Sequence, residues 1–138
     1  MDAVRLLHPK HYSYKRKRFV SLAFKNSGEV PGISIIDCEC LFRTTDTICD
    51  HIRKYYRITA GEPPIYWRFD TGILPGNFKL EQEDSPAGDE CHYNIRGITD
   101  KAAKSLFKNY WDKLHLFKIC KNGDAFQLKE ADIPDFSD

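Results

Sequence analysis

What the chain lacks narrows its class first. Among its 138 residues no apolar run approaches the roughly 20 needed to cross a bilayer, so no membrane span is expected. The opening "MDAVRLLHPK" shows no apolar segment followed by a small-residue cleavage site, and reads as a start without a secretory signal. Net charge is only +1, which argues against a globally basic nucleic-acid binder. There is no Gly-rich phosphate loop, no His-Glu-x-x-His helix and no Gly-x-Ser-x-Gly elbow. Internal repeats and low-complexity tracts are missing as well. Most common enzyme classes therefore lose their sequence support, and no cofactor is expected.

Cysteine is present in an odd number: Cys38, Cys40, Cys49, Cys91 and Cys120. In a chain long enough to bury a real core, and without an export signal, these read as reduced thiols of a cytoplasmic protein. Zinc sites pair their ligands about two to four residues apart, often as Cys-x-x-Cys. The pairs here, Cys38 with Cys40, Cys49 with His51 and Cys91 with His92, fit no familiar spacing. In a strand Cys38 and Cys40 share one face and serve as small buried hydrophobes. The expectation is free thiols and no metal. A cysteine nucleophile needs a histidine or a helix N-terminus beside it. Cys91 and His92, adjacent in a strand, point to opposite faces and do not meet that need.

What is present suits a globular domain. Hydrophobic residues are 41% and charged residues 30% of the chain, enough apolar surface for one core. "YKRKRFVSLAF" reads as a strand, "NSGEVPG" as a turn, and "ISIID" as a short buried strand forming a hairpin with the first. "TTDTICDHIRKYY" reads as a helix capped by Thr45 or Asp46, with Ile48, Ile52 and Tyr55 at helical spacing. "IYWRF" and "CHYNIRG" are strands, "GILPGNFKL" leads to a short one, and "QEDSPAGDE" is the most exposed loop. "TDKAAKSLFKNYWDKL" is a second helix capped by Thr99, and "LFKIC" a last strand. The order predicts an α+β fold: a single domain over residues 1–128, a mainly antiparallel sheet with two helices packed on it. Residues 129–138 form an acidic, flexible tail.

Charge is unevenly placed. Residues 1–28 carry seven basic residues against Asp2 alone, a local balance of +6, whereas acid collects at 81–90 and in the tail. Basic front and acidic tail can attract a polyanion or each other. Tyr12 and Tyr14 beside Lys15, Arg16, Lys17 and Arg18 combine stacking rings with cations, as nucleic-acid surfaces do. Tyr66, Trp67 and Arg68 make a second aromatic–basic cluster, suited to a nucleotide-like ligand. The competing reading is a solvated edge strand whose lysines and arginines guard against aggregation. His8 and His92, if brought together, can act as general acid and base on a phosphodiester, with Arg16, Arg18, Lys25 or Arg68 holding the phosphate. The competing reading has His92 bonding a backbone carbonyl and His8 anchoring the N-terminal segment.

"HP" at 8–9, "SLAF" at 21–24, "GIS" at 32–34 and "ECHYNIRG" at 90–97 follow one another in a particular order. That order resembles small, largely uncharacterised bacterial proteins with an HP…S-x-A-F…G-x-S…H-x-x-I arrangement, some of them in mobile or defence-related (antiviral) neighbourhoods. The resemblance spans about residues 5–108. It implies a bacterial cytosolic protein, puts His8, Ser21, Phe24, Ser34 and His92 at motif positions, and implies no reaction. With residues 8–25 beside 90–97 in one sheet, His8, Ser21, Ser34 and His92 would line one pocket.

Three functions follow: a binding module of a conflict-related assembly, contacting a protein or nucleic acid; a His-dependent phosphodiester-processing enzyme or toxin; and a nucleotide-like ligand binder. The first leads, because charge is uneven and no catalytic signature appears. Reversing Lys15, Arg16, Lys17 and Arg18 to Glu should abolish partner association while the fold survives. Exposed charges change stability by only about 0.5 kcal/mol each, yet supply most of the attraction to a polyanion. Retained binding at physiological salt would reduce the stretch to a solvated edge.

Overall fold

The computed structural model describes residues 1–7, 12–13, 18–19, 32–44, 47–56, 65–74, 77–99, 101–102, 115–119, 125–127 and 135–136. Its elements in chain order are β1 (Asp2–Leu7), β2 (Tyr12–Ser13), β3 (Arg18–Phe19), β4 (Ile33–Asp37), α1 (Cys38–Thr44), α2 (Ile48–Tyr55), β5 (Ile65–Asp70), β6 (Lys79–Gln82), β7 (His92–Arg96), β8 (His115–Ile119), β9 (Ala125–Gln127) and β10 (Asp135–Phe136). The N-terminal "DAVRLL", which carries no clear alternation, is the middle strand of a seven-stranded sheet ordered β6-β7-β4-β1-β5-β8-β9. Every pair in that sheet is antiparallel. Because β1 is central, consecutive residues Ala3, Val4 and Arg5 are all buried, so the strand has no polar face to reveal it. The chain is a single α+β domain.

One face of the sheet carries the helices. Val4, Ile36 and Tyr66 pack there against Cys38 and Leu41 of α1 and against Ile48, Cys49 and Ile52 of α2. The pleat sends Ala3, Ile33, Ile35, Trp67, Phe69 and Ile95 to the other face, where they are buried too. Arg5 lies among them: its guanidinium donates to the Ser34 carbonyl at 3.0 Å, and burial pushes its pKa down to about 10, still charged at neutral pH.

Local chemistry explains the helix starts. The Asp37 carboxylate accepts from Glu39 N–H at 3.1 Å and turns the chain from β4 directly into α1. Thr47, not Thr45 or Asp46, caps α2; its hydroxyl accepts from Asp50 N–H at 3.1 Å. Thr99 accepts from Ala102 N–H at 3.1 Å, the cap expected of the second sequence-predicted helix, whose residues beyond 102 lie outside the described ones.

Two expectations about pairing are corrected. "ISIID" does not form a hairpin with the basic strand: β4 lies between β1 and β7. The described part of the basic strand, β3, belongs to a separate three-stranded sheet with β2 and β10, so it does not lie beside "CHYNIRG". Asp135 of the acidic tail stands in register with Arg18 in that small sheet, and Phe136 with Phe19.

The thiol expectation is corrected as well. Cys40 and Cys91 form a disulfide, while Cys38 and Cys49 are buried and not disulfide-bonded. Helical geometry is the reason. In a strand Cys38 and Cys40 would share a face, but in α1 two residues are about 200° apart around the axis. Cys38 therefore enters the core beside Leu41, and Cys40 turns toward the start of β7.

The bridge closes a sequence separation of 51 residues, for which chain entropy gives about 4 kcal/mol. Replacing Cys40 and Cys91 together by Ala should lower stability by roughly 2–4 kcal/mol. Urea unfolding in a chelating buffer measures it; an unchanged midpoint would show that the cross-link carries no stability.

Candidate functional site

β4 and β7 are neighbours, and their register sets Ser34 opposite Asn94 and Ile36 opposite His92. On the helix-bearing face this brings the Ser34 hydroxyl within 2.9 Å of His92 Nε2. The other ring nitrogen, Nδ1, lies 2.7 Å from the Glu83 carbonyl oxygen. A carbonyl only accepts, so Nδ1 carries the proton and donates. In the neutral ring Nε2 is then the acceptor, and the Ser34 hydroxyl donates to it. The tautomer is thus fixed by the strand edge, because Glu83 also donates its N–H to the His92 carbonyl at 3.1 Å.

This pair sits in a half-enclosed pocket of about 100 Å³. Val4, Leu6, Ile35 and Ile36 supply apolar lining, and Ser34, His92 and Tyr56 the polar groups. Gly32, two residues before Ser34, lies close against β7: a Cβ there would come within 3.0 Å of Arg96 Nη1 and 3.2 Å of the Asn94 Cβ. That close approach gives the Gly-x-Ser spacing a packing reason.

Beside the pocket lies a second polar group, centred on Asp89. Both Asp89 and His51 are fully buried. One carboxylate oxygen, Oδ2, is 2.9 Å from His51 Nε2 and accepts from the Tyr56 hydroxyl at 2.6 Å. The other, Oδ1, accepts from Cys91 N–H at 2.9 Å. The loop is folded to present it: Asp89 N–H donates to the Ser85 hydroxyl at 3.0 Å, and Gly88 takes a positive φ of 87°. Burial alone raises the Asp89 carboxyl, but the bonds from His51, Tyr56 and Cys91 outweigh it and the net direction is down. Burial, then Asp89, push the Tyr56 phenol up, so it remains a hydrogen-bond donor.

The sequence-derived candidates divide as follows. Ser34 and His92 are brought together as expected. His8, Tyr14, Lys15, Arg16, Lys17, Ser21, Phe24 and Lys25 lie outside the described residues, as do the side chains of Tyr12 and Arg18. Tyr66 and Trp67 are 4% and 0% exposed, so neither ring can stack on a ligand; strands buried on both faces have no free aromatic platform. Arg68 is also committed, in a two-pronged pair with Asp2 (2.7 and 3.1 Å) above the Phe42 ring. The second aromatic–basic cluster is therefore a piece of the core and its rim.

Tyr56 and Asp89 were missed, and His51 was weighed only as a zinc-ligand partner of Cys49. His51 lies three residues from Ile48 on the apolar stripe of α2, which is the signal that was available. Asp89 gave none, because the loop holding it reads as exposed, and its interior position depends on Ser85 and Gly88 folding the chain back.

Chemically, Ser34–His92 is a polarised hydroxyl with an oriented base, two parts of a nucleophilic site. An oxyanion-stabilising part is not evident. Ser34 is inside a strand paired on both sides, so its own N–H lies in the sheet plane, and no Lys or Arg lines the pocket among the described residues.

Asp89→Asn should cost about 2–3 kcal/mol at neutral pH, since charge-assisted bonds from buried partners are lost. Because the folded carboxyl titrates below its ordinary 3.8, the wild-type contribution is whole above that value and disappears as pH falls through the lower one. Chemical unfolding from pH 7 downward should show the two proteins converging only in strong acid. A constant difference would place the charge elsewhere.

No protein-family model matches the chain, and no curated protein or solved structure does. Function therefore rests on the geometry of the pocket and its neighbours.

Proposed function

We propose that the chain is a binding module that takes one side chain of a protein partner into the Ser34–His92 pocket. Pocket size carries this reading. Sites for drug-sized ligands span roughly 300–1,000 Å³. About 100 Å³ accommodates a single side chain with an apolar body and a polar tip, which Leu6, Val4 and Ile36 would surround and His92 and Ser34 would meet. Anchors of this kind, buried at the centre of an interface, dominate protein–protein affinity.

A further observation favours protein over polyanion. No cation lines the pocket among the described residues, and phosphate recognition depends on Lys, Arg or a backbone nest. His-dependent phosphodiester chemistry is the second reading, favoured by the fixed tautomer of His92.

Panning a random peptide display library on the folded protein should enrich binders that share an anchor residue. Leu6→Trp, which fills the pocket from its wall, should weaken them at least about tenfold, or about 1.4 kcal/mol. Binders indifferent to Leu6→Trp would refute the anchor pocket. Cleavage of single-stranded nucleic acid that His92→Ala abolishes would replace it with the enzymatic reading.

A further inference from the structure

The fold gathers four chemically apt residues that the chain keeps far apart. One ligand atom each from His51, Asp89 and Cys91 lie within 4.8 Å of one another, and all three residues are buried. Cys40 Sγ is bonded to Cys91 Sγ, which brings a second sulfur to the edge of that group. They come from three places: α1, α2 and the loop running into β7. We propose that Cys40, His51, Asp89 and Cys91 form a redox-gated zinc site, closed as a disulfide when oxidised and filled by one zinc ion when reduced.

The donor set fits the ion. Structural zinc takes four ligands in a tetrahedron, with Zn–S near 2.3 Å and Zn–N or Zn–O near 2.0–2.2 Å, so neighbouring ligand atoms stand about 3.3–3.8 Å apart. His51 Nε2 and Asp89 Oδ2 are already 2.9 Å apart. On reduction the two sulfurs must part to the roughly 3.8 Å of neighbouring thiolate ligands, by rotation of the Cys40 and Cys91 side-chain torsions. Asp89 also has the outer support usual for a carboxylate ligand: Tyr56 O–H and Cys91 N–H donate to its two oxygens.

The chemistry balances. A dithiol reductant gives two electrons and two protons to the Cys40–Cys91 bond, leaving two thiols and becoming a disulfide itself. Zinc then displaces both thiol protons to solvent, and the thiolates bind with the Asp89 carboxylate and neutral His51. The disulfide and the ion do the same mechanical task in different redox settings, tying α1 and α2 to the start of β7. Linear spacing argued against zinc because the ligands pair as Cys40 with His51 and as Asp89 with Cys91, and only the fold joins the two pairs.

The test uses the full chain. Protein reduced with a phosphine under argon, given zinc alone and desalted, should retain about one zinc per chain by elemental analysis, whereas the oxidised protein treated identically should retain less than about a tenth of that. Cobalt(II) in place of zinc should give the absorption of a tetrahedral thiolate site. Cys40→Ala with Cys91→Ala should abolish retention, and Cys38→Ala should keep it. Zinc should also slow maleimide labelling of Cys40 and Cys91 in the reduced wild type at least about tenfold, a readout that needs no variant to fold. Reduced wild type without stoichiometric zinc, unprotected Cys40 and Cys91, or a double variant that retains the ion would each overturn the site.

Discussion

A buried carboxylate is tolerable only where its lone pairs are occupied, and Asp89 meets that condition by drawing in a helix, a loop and a strand start. His51 and Tyr56 come from α2 and its end, and the Cys91 N–H from the entry to β7. An unpaired ionised carboxylate there would cost several kcal/mol, so each partner is held as firmly as it holds the charge. Alongside the core contacts of Ile48, Cys49 and Ile52, this group ties α2 and the Tyr56 side of the pocket to the start of β7.

The pocket inherits its shape from that constraint. Tyr56 belongs both to the Asp89 network and to the pocket lining, and His92 begins the strand that Cys91 leads into. The Cys40–Cys91 bridge fixes the same corner from the α1 side. Polar fixation on one edge and an apolar floor of Val4 and Ile36 produce a small, half-enclosed cavity.

Parts of this were legible before folding is considered. "ISIID", "IYWRF" and "CHYNIRG" announce their strands through β-branched and aromatic content, and the α+β class follows from their order. His92 was legible as a residue with bonded partners because polar groups among apolar strand positions need them. β1 was not, since a strand buried on both faces loses the alternation by which strands are recognised. Nor was α1, whose seven residues are too few to display a helical period.

The sequence by itself determined the class of fold, the strands with clear β character, the cap at Thr99, and Ser34 and His92 as polar residues set in apolar strands. Each is a local property: propensity, period, or a polar residue in an apolar run. Only the tertiary structure decided that Tyr66 and Trp67 are core, that Arg68 answers Asp2, that Cys40 meets Cys91, and that Asp89 is interior. Those outcomes depend on which residues far apart in the chain come to lie side by side. Burial and pairing across a sheet are set by the whole packing, and no window of neighbouring residues contains that information.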